Sequence, residues 1–187
     1  VLVWSFATLH IGPPVFLGAL EARVVQPPLL EGLYSRSLGN VVWGLARLRV
    51  RDPTLMGQLA DRALHPAVWP TFTARSIAMT VWGFATAGVH HEALMVSTAR
   101  LWVSDEVQGP VSGQDVAMVA WACARLGIKD PALMLDLRDR LMHTGLLQRC
   151  SPQAVAMIAW AFASSGCRQY RLMELIAERV TRHCGFL

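Results

Sequence analysis

The sequence predicts an all-α protein, a right-handed α-solenoid of five two-helix repeats, and three observations lead there. Trp4, Trp43, Trp82, Trp121 and Trp160 recur every 39 residues without an insertion or deletion. Fixed company travels with them: Ala7, Ala46, Ala85, Ala124 and Ala163 three residues on, then Phe16, Leu55, Leu94, Leu133 and Leu172, each followed by Leu or Met (Leu17, Met56, Met95, Met134, Met173). Two copies also carry Asp-Pro in mid-unit, at Asp52-Pro53 and Asp130-Pro131. A period of roughly 20–50 residues marks a unit that cannot bury its apolar face alone and stacks on its neighbours. The units run approximately 1–34, 35–73, 74–112, 113–151 and 152–187, as one segment of a longer chain.

The fourth unit shows how each is built. Ser112 opens "SGQD", a serine with an acidic residue three later, as in a capping box. Val116, Ala117, Ala120, Trp121, Cys123, Ala124 and Leu126 then cover one broad helix face. Gly127 follows as a left-handed stop, matched by Gly88 and Gly166. Asp130 and Pro131 start a second helix as N-cap and first-turn proline, with Leu133, Met134, Leu137 and Leu141 as its buried stripe. The fifth unit begins "SPQA", with Ser151 as N-cap. Between units, Pro27-Pro28, Pro66, Pro70 and Pro110 are expected to discourage helix, while Trp69 and Phe72 tuck under the stack. Gly39, Ala78, Ala117 and Ala156, four residues before the tryptophans, are expected to let first helices approach closely. The tryptophans themselves are expected to be core, filling space between layers, rather than a base-stacking ladder.

Composition narrows the function. Hydrophobic residues make up 53% and charged ones 16%, yet no apolar run reaches the roughly 18–20 residues of a membrane span, so none is expected. The chain opens on Val1 inside a repeat and shows no polar capping repeat, which points to further repeats or to burial in a large assembly. Cys123, Cys150, Cys167 and Cys184 lack CxxC spacing and a completing His pair, so reduced thiols are expected and neither a metal nor a cofactor is. His90-His91 is the one His pair, and neighbours in sequence do not share a helix face; no GxxxxGK[ST], HExxH or GxSxG occurs. No catalytic residue is expected, and the chain does not read as an enzyme. All but one of the 17 basic residues are Arg, Lys129 being the exception. A guanidinium donates in pairs and stacks, which suits phosphates and bases; a compositional bias shared with Ala, Gly, Val and Pro accounts for the excess equally well.

The stretches "NVVWGLARLRV", "AMTVWGFATAGV", "AMVAWACARLGI" and "AMIAWAFASSGC", with "VLVWSFATLHI" as a first, shortened copy, resemble the octotricopeptide repeat family. They are similar also to the helical repeats of organellar proteins that carry a RAP domain. The resemblance covers essentially the whole chain and implies RNA binding in mitochondria, or alternatively chloroplasts. Its settings are a structural component of a mitochondrial ribosome, holding ribosomal RNA and neighbouring proteins of a large ribonucleoprotein, or a free transcript maturation or translation factor. From another class, a protein–protein scaffold stays open, because α-solenoids offer their surfaces to proteins as well.

Candidate RNA-binding residues fall in columns. Seven before, three before and four after the tryptophan stand Arg36, Asn40 and Arg47 in the second unit, and Arg75, Met79 and Thr86 in the third. The fourth has Gln114, Met118 and Arg125, and the fifth Gln153, Met157 and Ser164. Such spacings share one side of a helix, expected to be the face opposite the apolar arc, and side chains that change on a fixed scaffold are what a modular reader of RNA shows. Eight after the tryptophan come Arg51, His90, Lys129 and Arg168, a cationic ribbon suited to a phosphate backbone or to the helix dipole alone. A last column, Arg23, Arg62, Arg140 and Arg179, is expected to be plain surface charge.

Overall fold

The computed structural model describes residues 2–182, whose regular elements are helices. In chain order they are α1 (Leu2–Leu9), α2 (Pro14–Val24), a short α3 (Pro27–Glu31), α4 (Ser35–Arg47), α5 (Pro53–Leu64) and α6 (Ala74–Ala87). Then come α7 (Glu92–Val103), α8 (Gly113–Arg125), α9 (Pro131–His143), a short α10 (Leu146–Arg149), α11 (Pro152–Ser164) and α12 (Tyr170–Arg182). The protein is all-α. Cys184 lies outside the described residues.

The starts follow from local chemistry. Ser112 Oγ accepts from Asp115 N while the Asp115 carboxylate accepts from Ser112 N, the reciprocal bond expected from "SGQD". Asp52, Asp130 and Ser151 accept from the exposed amides of α5, α9 and α11 in the same way. A box the sequence pattern did not flag, Thr73 with Ser76, opens α6. His91 caps α7 through Nδ1 and is thereby spent on structure.

The first helices stop on left-handed residues. Gly88, Gly127 and Gly166 have φ of 75°, 71° and 72°, as expected. The same place in the first two units holds His10 and Arg49, at φ 56° and 64°. A Cβ in this conformation costs roughly 1–2 kcal/mol, and the Arg49 side chain is exposed without a hydrogen bond or ion pair among the described residues. Arg49→Gly is therefore expected to stabilise the chain by about 1 kcal/mol in urea unfolding, since glycine removes the strain that no contact of Arg49 offsets.

The connectors depart from expectation. Pro27-Pro28 begins α3 rather than preventing it, and Pro70 lies in a 3₁₀ turn at Trp69–Thr71. A proline at a first helical position gives up an amide that would have had no partner anyway. Phe72 does tuck in, at 1% exposure, and Trp69 packs partly against the core.

The first helices α1, α4, α6, α8 and α11 pack in that order, each against the next. Each of the later second helices packs on the first helix of its own unit, α5 on α4, α7 on α6, α9 on α8 and α12 on α11. Between the two sets runs a continuous apolar core, with the α9 stripe Leu133, Met134, Leu137 and Leu141 buried as expected. Small residues make the close approach possible. A Cβ on Gly39 would lie 2.9 Å from Ser76 O, and one on Gly83 would lie 2.6 Å from Val42 Cγ1 and 2.9 Å from Val42 O. Ala78 and Ala117 are fully buried, whereas Ala156 of the last unit is exposed.

Candidate nucleic-acid interface

At 3.6 residues per turn, positions seven before, three before and four after a tryptophan fall within about 60° of the tryptophan itself. The indoles therefore share the side of the first helices that carries the candidate RNA residues. Trp43, Trp82 and Trp121 pack against the apolar core as expected, though without being sealed in it, and the candidate columns lie beside the apolar arc rather than opposite it, with Met79 and Met118 buried. Trp43, Trp82 and Trp121 are half-buried, and Trp4 and Trp160 are 46% and 44% exposed. Neighbouring rings form a ladder, with centroids 6.4 Å apart from Trp43 to Trp82, 6.1 Å to Trp121 and 6.1 Å to Trp160, tilted by 32–39°.

Around this ladder the first-helix arginines gather. Arg36, Asn40 and Arg75 line one cleft of about 530 Å³ with Trp4 and Met79, so three successive helices contribute to it. Arg36 and Arg125 are exposed and engage no partner among the described residues. The Arg47 guanidinium lies 5.6 Å from the Trp43 ring centroid and 2.7 Å from His10 Nε2. Arg75 reaches across to α8, where Nη1 sits 3.4 Å from Asp115 Oδ1 and 3.8 Å from Met118 Sδ, yet its side chain stays 57% exposed. Gln114 is half-buried and Gln153 exposed. Met79 and Met118 are only 7% and 4% exposed, so the column three before the tryptophan offers little surface in the third and fourth units.

Charge is distributed unevenly between the two sets of helices. The five first helices carry Arg36, Arg47, Arg75 and Arg125 and a single carboxylate, Asp115, which is 2% exposed and bonded to Ser112 and Arg75. The second helices mix signs, with Glu21, Asp61, Glu92, Asp136, Asp139, Glu174 and Glu178 among their arginines. The tryptophan-bearing side thus presents cations and almost no exposed anion. Arg51, Lys129 and Arg168 in the turns are exposed and unpaired among the described residues, as is the position of His90.

Three members of the last arginine column are not plain surface charge, while Arg23 is exposed without a hydrogen bond or ion pair among the described residues, as expected. Arg62 donates to the carbonyls of Leu33 and Glu31, and Arg179 to that of Cys150, which ties each second helix to the connector before it. Arg140 donates to Trp102 O and to the carboxylates of Asp136 and Asp105. Sequence reasoning missed this role because a buried carbonyl acceptor leaves no mark in the residue pattern. Leu101 stands where the third unit would have its arginine.

Other chemistry is sparse. No group of three or more His, Cys, Asp or Glu is placed to hold a metal among the described residues. Cys123, Cys150 and Cys167 are free thiols. Burial, then the Asp130 carboxylate, pushes the Cys123 thiol up to about 12, so it is a core side chain and no nucleophile. No helix among the described residues is long and apolar enough to cross a membrane. No protein-family model matches the chain, and no curated protein matches it in sequence.

Proposed function

We propose that this chain is an RNA-binding right-handed α-solenoid with a 39-residue unit, of the octotricopeptide type, holding RNA along the arginine side of its first helices. One observation carries the reading: the first helices expose arginines around a tryptophan ladder and keep their one carboxylate buried. A polyanion gains from such a surface at every step, and arginine forks bind phosphates in pairs. A protein partner has no comparable need for a face cleared of acid, so the scaffold reading ranks second. The chain acts by binding, with no catalytic role. An organelle, with a mitochondrial ribosome as the assembly, is the setting drawn from the resemblance of the repeat motif.

The test is RNA affinity at several salt concentrations for the wild type and for Arg47→Ala/Arg125→Ala. For single strands, log affinity falls with log salt by about 0.7 per phosphate neutralised, so losing two contacts is expected to flatten the slope by about 1.4. A folded chain that binds no RNA at low salt would leave the protein scaffold as the function.

A further inference from the structure

We infer that the indole column Trp4, Trp43, Trp82, Trp121 and Trp160 is a stacking platform for the unpaired bases of the bound strand, with the arginines beside it holding phosphates. The inference rests on the RNA-binding reading and adds what the strand must be, single-stranded with bases turned inward, and which atoms meet it.

Three observations carry it. The ladder is continuous over four helices, from Trp43 to Trp160, at 6.1–6.4 Å between neighbours, so successive nucleotides meet a similar surface at each unit. Its members keep part of their surface open, up to 46% exposure at Trp4, on helices whose arginines are largely exposed. Finally, the indole N–H groups of Trp43, Trp82 and Trp121 donate to nothing among the described residues, yet unlike Trp102 Nε1 they are not sealed from solvent. Trp102, by contrast, is buried over its whole ring at 0% exposure. Buried tryptophans usually pair their N–H, and half-exposed ones with a free donor offer a polar handle to a ligand.

The chemistry selects the ligand. Every base has a π-face, and aromatic rings set in a cationic groove bind single strands with little regard to sequence. Arg47 over Trp43 extends the platform with a second planar group that both stacks and carries charge. A duplex keeps its base faces stacked on one another and has none to offer these indoles. A proline-rich peptide stacks on indoles too but gains nothing from a face that carries arginines and almost no exposed carboxylate.

The experiment titrates the full chain with oligouridine, with an abasic ribose-phosphate oligomer of the same length, and with a proline-rich peptide. Wild type is expected to bind oligouridine at least about tenfold more tightly than the abasic oligomer. Trp160→Leu, at an exposed site where the fold tolerates change, is expected to lose about tenfold for oligouridine and nothing for the abasic oligomer, with an unchanged salt slope. Trp160→Phe and Trp121→Phe retain most of the affinity. Equal, salt-steep binding of both oligomers, unaffected by Trp160→Leu, overturns the stacking platform and leaves RNA binding standing. Binding of neither oligomer removes the RNA reading beneath it, and capture of the peptide instead reassigns the ladder to proteins.

Discussion

Gly83→Ala is expected to destabilise the chain by about 2 kcal/mol, while the same substitution at Gly57 or Gly18 stabilises it by about 0.5–1 kcal/mol. All three glycines lie inside helices, where alanine gains roughly 1 kcal/mol in backbone entropy and propensity. They differ in what the new methyl meets. At Gly57 in α5 and Gly18 in α2 there is nothing within 4 Å. At Gly83 the methyl falls 2.6 Å from Val42 Cγ1, 2.9 Å from Val42 O and 3.0 Å from Val42 C, and Val42 is fully buried in α4. A side chain alone can turn away, but a carbonyl cannot, so α4 and α6 must separate. Overpacking of this kind costs typically 1–3 kcal/mol, more where backbone has to move, which outweighs the propensity gain. For a chain of this size about 2 kcal/mol lowers the melting temperature by some 4–8 °C. Thermal unfolding of the three single variants checks it, and a Gly83→Ala protein as stable as wild type would contradict the close approach. Separation of the helices would also widen the 6.4 Å step from Trp43 to Trp82, so RNA affinity should fall in the same variant.

How much of this was legible in the sequence depends on the range of the interaction. Caps and stops are written within a few residues, and Ser112, Asp130, Ser151, Gly88 and Gly127 all take the local roles read from their spacing. Gly39 announced a close contact because small residues recur four before the tryptophans, though the backbone it meets, at Ser76, was not foreseeable. The candidate site was legible in its residue types and half-legible in its geometry. Arg36, Asn40 and Arg75 do converge on one cleft. The tryptophans border an apolar arc and do pack against the core, while the helical angle also places them beside Arg36 and Arg47. Size explains both: an indole at a boundary position reaches the core and the solvent, and hydrophobicity alone reports the first. Met79 and Met118 show the converse, since they stand in the column of Asn40 but lie buried, the Met118 sulfur beneath the Arg75 side chain. What the sequence could not carry at all is the pairing of arginines with backbone carbonyls some thirty residues away, because every residue has a carbonyl.

That pairing yields the second large effect. Arg140→Ala is expected to cost about 3 kcal/mol, the most of any arginine substitution in the chain. The Arg140 side chain is 16% exposed, with Nε 2.7 Å from Asp136 Oδ2, and Nη2 2.7 Å from Asp105 Oδ1 and 3.1 Å from Trp102 O. Its guanidinium carbon lies 5.6 Å from the Trp102 ring centroid, over the largest fully buried side chain. Burial works against its charge, but the bonds to Asp136 and Asp105 outweigh this and raise its pKa above the ordinary arginine value. Hydrogen bonds to charged groups contribute about 1.5–3 kcal/mol, and a cation over an indole adds about 0.5–1 kcal/mol or more when desolvated. Asp105 sits at φ 56°, a left-handed conformation that aspartate tolerates better than most residues, and Arg140 donates to its carboxylate there. Arg140→Lys keeps the charge but has no fork to reach three acceptors, so it is expected to recover less than half of the loss. Arg171→Ala supplies the comparison: its pair with Glu174 has both side chains more than 60% exposed, and its removal should change stability by no more than about 0.5 kcal/mol. Urea unfolding of the three variants separates the cases, and similar losses for Arg140→Ala and Arg171→Ala would mean that Arg140 is surface charge after all. On the proposed RNA reading, affinity per folded molecule should be unchanged in each, because these arginines lie on the second helices and not on the helices that carry the indoles.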